Sequence, residues 1–170
     1  MIKEIIQILW LFLPAIFADM IPIFARKIRF LNKPINKKLF GSHKTWKGIV
    51  FGIIIAIIIA ALQKVVVIPS EYLLIDYNII NCLLFGGMVG LGVGIGDLVK
   101  SFFKRKLKIS AGKPWLVADQ VDWVIGSCIF ILPFIILSWQ MYVFAIILLG
   151  FLALLGEEIG YLLHIKEREI

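Results

Sequence analysis

The stretch GVGIGDLVKSFFKRK, Gly92 to Lys106, runs from glycine-rich apolar residues into Asp97, then into four cations: Lys100, Lys104, Arg105 and Lys106. At 100° per residue, Asp97, Lys100, Ser101 and Lys104 share one helix face, while Leu98, Val99, Phe102 and Phe103 take the other. The spacing predicts a helix that becomes amphipathic as it leaves a membrane. Lysines that snorkel to the interface account for Lys104 to Lys106. They do not account for Asp97, because a carboxylate inside the boundary costs up to roughly 2.5–3.5 kcal/mol at mid-membrane and less toward the interface. Such a residue marks a candidate site.

Upstream, Gly86, Gly90 and Gly94 recur every four residues, and Gly92 and Gly96 repeat the spacing. In a membrane helix this pattern lets another backbone come close. It is not a dinucleotide fingerprint: no strand precedes it, the spacing is GxGxGxG, and no acidic residue closes a βαβ unit. A Walker A pattern is also absent from the sequence.

Of the 170 residues, 61% are hydrophobic, against about 45–50% in soluble domains. One small globule cannot bury that excess, so much of it must face lipid. A crossing takes roughly 20 apolar residues, and five candidate spans are present, near 4–25, 48–68, 78–100, 120–138 and 141–163. The expected fold is an all-α integral membrane protein of about five transmembrane helices, forming one domain over 1–170. The first span carries Asp19, Pro14 and Pro22 and has no small-residue cleavage site, so it reads as a retained helix. Pro14 and Pro22 are expected to open that helix beside a cavity lined by Asp19.

Net charge is +7, and sixteen of the eighteen lysines and arginines fall in three places. Eight lie in 26–47 (Arg26, Lys27, Arg29, Lys33, Lys37, Lys38, Lys44, Lys47), six in 100–118, and two in the tail, Lys166 and Arg168. Only Lys3 and Lys64 lie on the other side. The positive-inside rule makes loops 26–47 and 100–118 and the C-terminus cytoplasmic, with the N-terminus outside. In the first loop Pro34 and Gly41 break helix and leave room for a short interfacial helix between them. Cys82 and Cys128 fall within spans, match no metal spacing, and read as buried free thiols.

The dense polar sequence lies on the cytoplasmic side, and the chemistry is expected there. In GKPWLVADQVDW, Gly112 to Trp123, Asp119 and Asp122 are three apart at the start of the fourth span. Helix-dipole compensation explains one of them. Two, with Asp97 at the same membrane face, suggest a Mg²⁺ site whose remaining positions go to water and phosphate oxygens. GSHKTWKG, Gly41 to Gly48, adds Lys44 and Lys47 for phosphate, His43 for base or phosphate, and Trp46 as a belt residue or a contact. Glu157, Glu158 and His164 read as surface solvation.

These elements together resemble the CTP-dependent phosphatidate cytidylyltransferases. GDLVKSFFKRK followed by DQVD matches that family's Gly-Asp-Leu, its Ser four residues after the Asp, its Lys-Arg pair and its later Asp-x-x-Asp. HKTWKG is similar to its Lys-Thr-Trp-acidic-Gly element, with Lys47 in the acidic position. The short chain, GSHKTWKG and GKPW before DQVD are similar to the archaeal branch, the CDP-archaeol synthases; the bacterial enzymes are longer and carry His-Gly-Gly where GKPW stands. Asp19 stands where that branch is expected to have Asn after Ala18. The resemblance covers 14–123 by motif and the rest by span count.

The resemblance implies a Mg²⁺-dependent multi-pass enzyme of the cell membrane with its active site on the cytoplasmic face. It would transfer a cytidylyl group from CTP to 2,3-bis-O-geranylgeranylglycerol 1-phosphate, giving the CDP-lipid and pyrophosphate. Asp97, Asp119 and Asp122 would be catalytic and hold metal, with Lys104 also catalytic. His43, Lys44, Thr45, Trp46, Ser101, Lys104, Arg105 and Lys113 would bind the nucleotide. The partners expected are CTP and the membrane-embedded lipid phosphate, with no nucleic acid polymer; a homodimer is left open. The alternatives are a CDP-diacylglycerol synthase acting on phosphatidate, or a small transporter or scaffold. A transporter predicts polar residues at mid-membrane, whereas these sit at the cytoplasmic edge. The CDP-alcohol phosphotransferases need Asp-Gly, Ala-Arg and aspartates four apart, which this sequence lacks.

Overall fold

The computed structural model describes residues 2–21, 30–110, 113 and 115–162. Pro22, Arg26, Lys27, Arg29, Gly112, Pro114, His164, Lys166 and Arg168 lie outside the described residues. Among the described residues the regular structure is all helical, apart from one isolated backbone bridge between Pro34 and Thr45. Five long helices appear among the described residues: α1 (Ile2–Asp19), α3 (Trp46–Val65), α4 (Cys82–Lys106), α5 (Leu116–Ile131) and α6 (Trp139–Leu162). A four-residue helix, α2 (Lys37–Phe40), stands between α1 and α3, and a short 3₁₀ turn, Ser70–Tyr72, follows α3. Among the described residues, three helical segments are long and apolar enough to cross a membrane: Trp46–Val65, Cys82–Lys106 and Trp139–Tyr161. Helix α1 carries Lys3, Glu4 and Asp19, and α5 has only 16 residues.

Helix α4 is the spine, packed on α3, α5 and α1. Asn81 starts it, its side chain accepting from the backbone N–H of Leu83 and Leu84. Lys104, Arg105 and Lys106 occupy its last turn, where cations complement the helix dipole. Its glycines form two stripes rather than one. A Cβ on Gly86 or Gly90 would come within 2.7 Å of the α3 backbone at Ile57 or Ile53. A Cβ on Gly92 or Gly96 would instead meet α5, at the carbonyl oxygens of Gly126 and Asp122. Small residues thus set backbone-to-backbone contact on two sides of one helix. Outward, Ile54, Ile58, Ile129, Ile147 and Phe151 are exposed, as a lipid-facing surface requires.

Pro14 does not open α1 as the sequence suggested; the helix runs continuously through it. Proline lacks the N–H that would bond the carbonyl of Trp10 four residues back. That carbonyl accepts from the side-chain amide of Gln63 on α3 at 2.5 Å, and Gln63 in turn accepts from the Tyr77 hydroxyl at 2.8 Å. Burial pushes the Tyr77 phenol upward, so it stays protonated as the donor. Gln63→Leu strands the Trp10 carbonyl and the Tyr77 hydroxyl, and should lower unfolding free energy by about 2–4 kcal/mol. Detergent-phase denaturant unfolding measures this, and Tyr77→Phe on top should recover part of the loss. No loss in Gln63→Leu would mean the buried amide is dispensable.

Segment 31–47 is a compact loop. Asn36 caps α2 by accepting from the backbone N–H of Lys38 and Leu39. Gly41, at φ 90°, takes the left-handed turn that ends α2. Ile35 N–H donates to the Lys44 carbonyl, Trp46 N–H to that of Lys33, and Lys47 N–H to that of Leu31. This pairing fixes the backbone on both sides of Lys44 before α3 begins.

Candidate functional site

The charged end of the bundle gathers residues that are far apart in the chain. The Lys44 ammonium donates to both carboxylate oxygens of Asp97 at 2.6 Å. One turn along α4, the Lys100 ammonium lies 3.1 Å from Asp97, 3.2 Å from Asp119 and 2.9 Å from Asp122. Lys104 lies 3.0 Å from Asp119, which also accepts from the Trp115 N–H at 2.6 Å, holding the start of α5. The close approach of Gly96 to the Asp122 carbonyl brings α4 and α5 near enough for this array to form.

A cleft of about 460 Å³ opens beside the array, between α1, the 31–45 loop, α3 and α4. Asp19, Asn32, His43, Lys44, Thr45, Lys47 and Asp97 are polar residues in its wall. Gly52, Gly90, Val93, Gly94 and Leu98 are part of its apolar wall. Asp19 therefore does line a cavity, as its position in α1 suggested.

The remaining candidates divide. Ser101 and Lys104 are buried on α4. The Arg105 Nε is buried and has no hydrogen-bond partner among the described residues. Trp46 is exposed on the first turn of α3 outside the cleft wall, and Lys113 is exposed between α4 and α5. Cys82 and Cys128 are both free thiols; Cys128 is buried as expected, whereas Cys82, at the start of α4, is only half-buried.

The side chains that meet Asp97 directly are Lys44 and Lys100, and Asp119 shares only Lys100 with it. The reason is geometric: Lys100 is three residues past Asp97, and its stem spans the narrow gap that the glycines leave between α4 and α5. Glu157 is not simply solvated, since Gln120 donates to it at 2.6 Å. The sequence puts Lys100 on the charged face, in a cationic shelf for phosphates and the membrane surface; its reach to α5 depends on helix packing.

Among the described residues no three His, Cys, Asp or Glu side chains form a ready-made metal group. The donor chemistry nonetheless suits a hard divalent cation. Three carboxylates converge on one point already held by a cationic nitrogen, and Asp122 Oδ1 is buried without a hydrogen-bond partner.

An α-helical membrane protein with a carboxylate–lysine centre beside a half-apolar cleft is the class that fold and site define. The profile of the CarS-like family, CDP-archaeol synthase, matches residues 1–169, and the chain belongs to that family. It is 32% identical to a CDP-archaeol synthase of Methanocaldococcus jannaschii, over 94% of this chain and 93% of the relative. A CDP-archaeol synthase of Methanococcus aeolicus is 27% identical, over 91% and 85%. One of Thermococcus onnurineus is 28% identical, over 88% of each. A solved structure described as an intramembrane enzyme for archaeal membrane lipids biosynthesis shares the fold, with a TM-score of 0.71 and 22% identity, over 88% of this chain and 91% of that one.

Proposed function

We propose that the protein transfers a cytidylyl group from CTP to 2,3-bis-O-geranylgeranylglycerol 1-phosphate, forming CDP-archaeol and pyrophosphate. Family membership names the reaction. The observation that carries it on this chain is the Lys44–Asp97 pair at the cleft, which joins two motifs 53 residues apart. The lipid phosphate oxygen attacks the α-phosphorus, a new P–O bond forms, and the bond to the bridging oxygen breaks as pyrophosphate leaves in line. Such a transfer needs positioning and charge neutralisation more than covalent help.

Asp97, Asp119 and Asp122 would hold Mg²⁺, which when bound supplies charge neutralisation at the phosphates. Lys44 and Lys104 bring cationic ammonium groups to the same phosphates, and the unpartnered Arg105 Nε is an available donor. Ser101 would hydrogen-bond a phosphate or a metal ligand. His43 and Thr45, in the cleft wall, would contact the nucleotide, and Trp46 and Lys113 would add contacts from outside that wall. The apolar wall gives the isoprenoid chains a lateral approach, so the lipid need not leave the bilayer.

In the membrane the five long helices cross in turn, with the N-terminus outside and the C-terminus and active site cytoplasmic. The lysine-rich loops support that orientation. Protein purified in detergent and given CTP, Mg²⁺ and the ether-lipid phosphate should release pyrophosphate. In direct competition the ether lipid should be used in preference to phosphatidate. Preference for phosphatidate would make the protein a CDP-diacylglycerol synthase, and absence of pyrophosphate with either lipid would remove the enzymatic reading.

A further inference from the structure

We infer that Lys100 is an internal counter-cation: it holds Asp97, Asp119 and Asp122 together before metal arrives and competes with the divalent cation for them. This rests on the metal site proposed above and assigns a role to a residue outside its ligand set.

Three carboxylates facing one point repel one another at short range, and do so strongly where water is scarce. The Lys100 ammonium removes that repulsion by lying 2.9–3.2 Å from all three. Its side chain is 13% exposed and that of Asp122 is 8% exposed, so bulk water screens neither well. Asp122 spends only one oxygen on the lysine; Oδ1 is buried and has no hydrogen-bond partner among the described residues. A lone buried acceptor of this kind costs free energy unless a further donor or cation meets it.

Charge balance states the consequence. Lys44, Lys100 and Lys104 set three positive charges against these three carboxylates, so the six groups balance; Asp19, in the cleft wall, is a fourth carboxyl outside this count. A divalent cation entering alone would leave an excess of two positive charges at a partly buried site. Entering with a polyphosphate it would not. Lys100 therefore makes metal binding weak alone and strong with nucleotide, and it must withdraw from at least one carboxylate when both are present. It is a positioning residue, acting through the three aspartates.

The test uses whole protein in detergent without CTP or lipid. Mn²⁺ is titrated and followed by its free-ion paramagnetic resonance signal, and thermal unfolding is recorded in chelator and in Mg²⁺. Lys100→Met should tighten Mn²⁺ binding by about ten-fold or more, because it removes a competing buried charge. It should also unfold at a lower temperature than wild type in chelator and recover in Mg²⁺. Lys100→Arg, which keeps the charge, should stay near wild type in both. Unchanged or weaker Mn²⁺ binding in Lys100→Met, while Asp97→Asn still weakens it, overturns this inference alone. Mn²⁺ binding that is indifferent to Asp97→Asn in both backgrounds overturns the metal site itself, and this inference with it. A merely structural lysine would lower the unfolding temperature in chelator and in Mg²⁺ alike.

Discussion

Asp97→Asn should lower pyrophosphate release by about a thousand-fold or more, the scale seen when a charge-stabilising group is removed from a transition state. The amide is nearly isosteric, so helix packing is untouched. What changes is charge and hydrogen-bond polarity at the meeting point of two motifs. Lys44 and Lys100, at 2.6 Å and 3.1 Å from the carboxylate, would face a neutral group with one oxygen instead of two. Two ammonium groups then lose their shared counter-ion, and the proposed metal loses one of three ligands. Stranding a buried partner costs on the order of 3–5 kcal/mol, and that cost falls on the cleft, where phosphate must bind. Far-ultraviolet circular dichroism and gel filtration should match wild type while turnover collapses. Activity above about a tenth of wild type would remove Asp97 from the chemistry.

Gly96→Leu should be the most damaging change outside the charged residues. A Cβ there already overlaps the Asp122 carbonyl oxygen and comes 3.3 Å from Gly126 Cα. Backbone cannot rotate away as a side chain can, so α4 and α5 must separate. Overpacking of this kind costs about 1–3 kcal/mol or more. The functional loss should exceed the stability loss, because the same separation pulls Lys100 from Asp119 and Asp122. Denaturant unfolding in detergent and turnover, measured together, check both parts. Gly156→Ala is the control: nothing among the described residues lies within 4 Å of its added methyl, and it should be silent. If Gly96→Leu folds and works normally, the contact between α4 and α5 does not set the site.

The apolar segments and the charged rim were legible in the sequence because composition and cation placement report directly on lipid and interface. The glycine spacing showed that α4 meets backbone closely. It did not show that Gly86 and Gly90 serve α3 while Gly92 and Gly96 serve α5, because periodicity gives a face and not its neighbour. Asp97, Asp119 and Asp122 were found as types out of place in an apolar chain. Their lysine partners were not assigned, because Lys44 reaches Asp97 only through the pairing of 31–35 with 44–47. Gln63 was missed although a signal exists: Pro14 orphans a carbonyl in a segment without water, and a lone glutamine in apolar α3 is the natural donor.

The two glycine stripes of α4 also govern how the molecule can move. A helix in backbone contact on two sides has no free angle through which to roll and no slack along which to slide. Neighbours held by side chains have both, since rotamers can change where main chain cannot. Opening beside the site is therefore expected on the side of the cleft formed by α1 and the 31–45 loop, against a wall of α3 and α4.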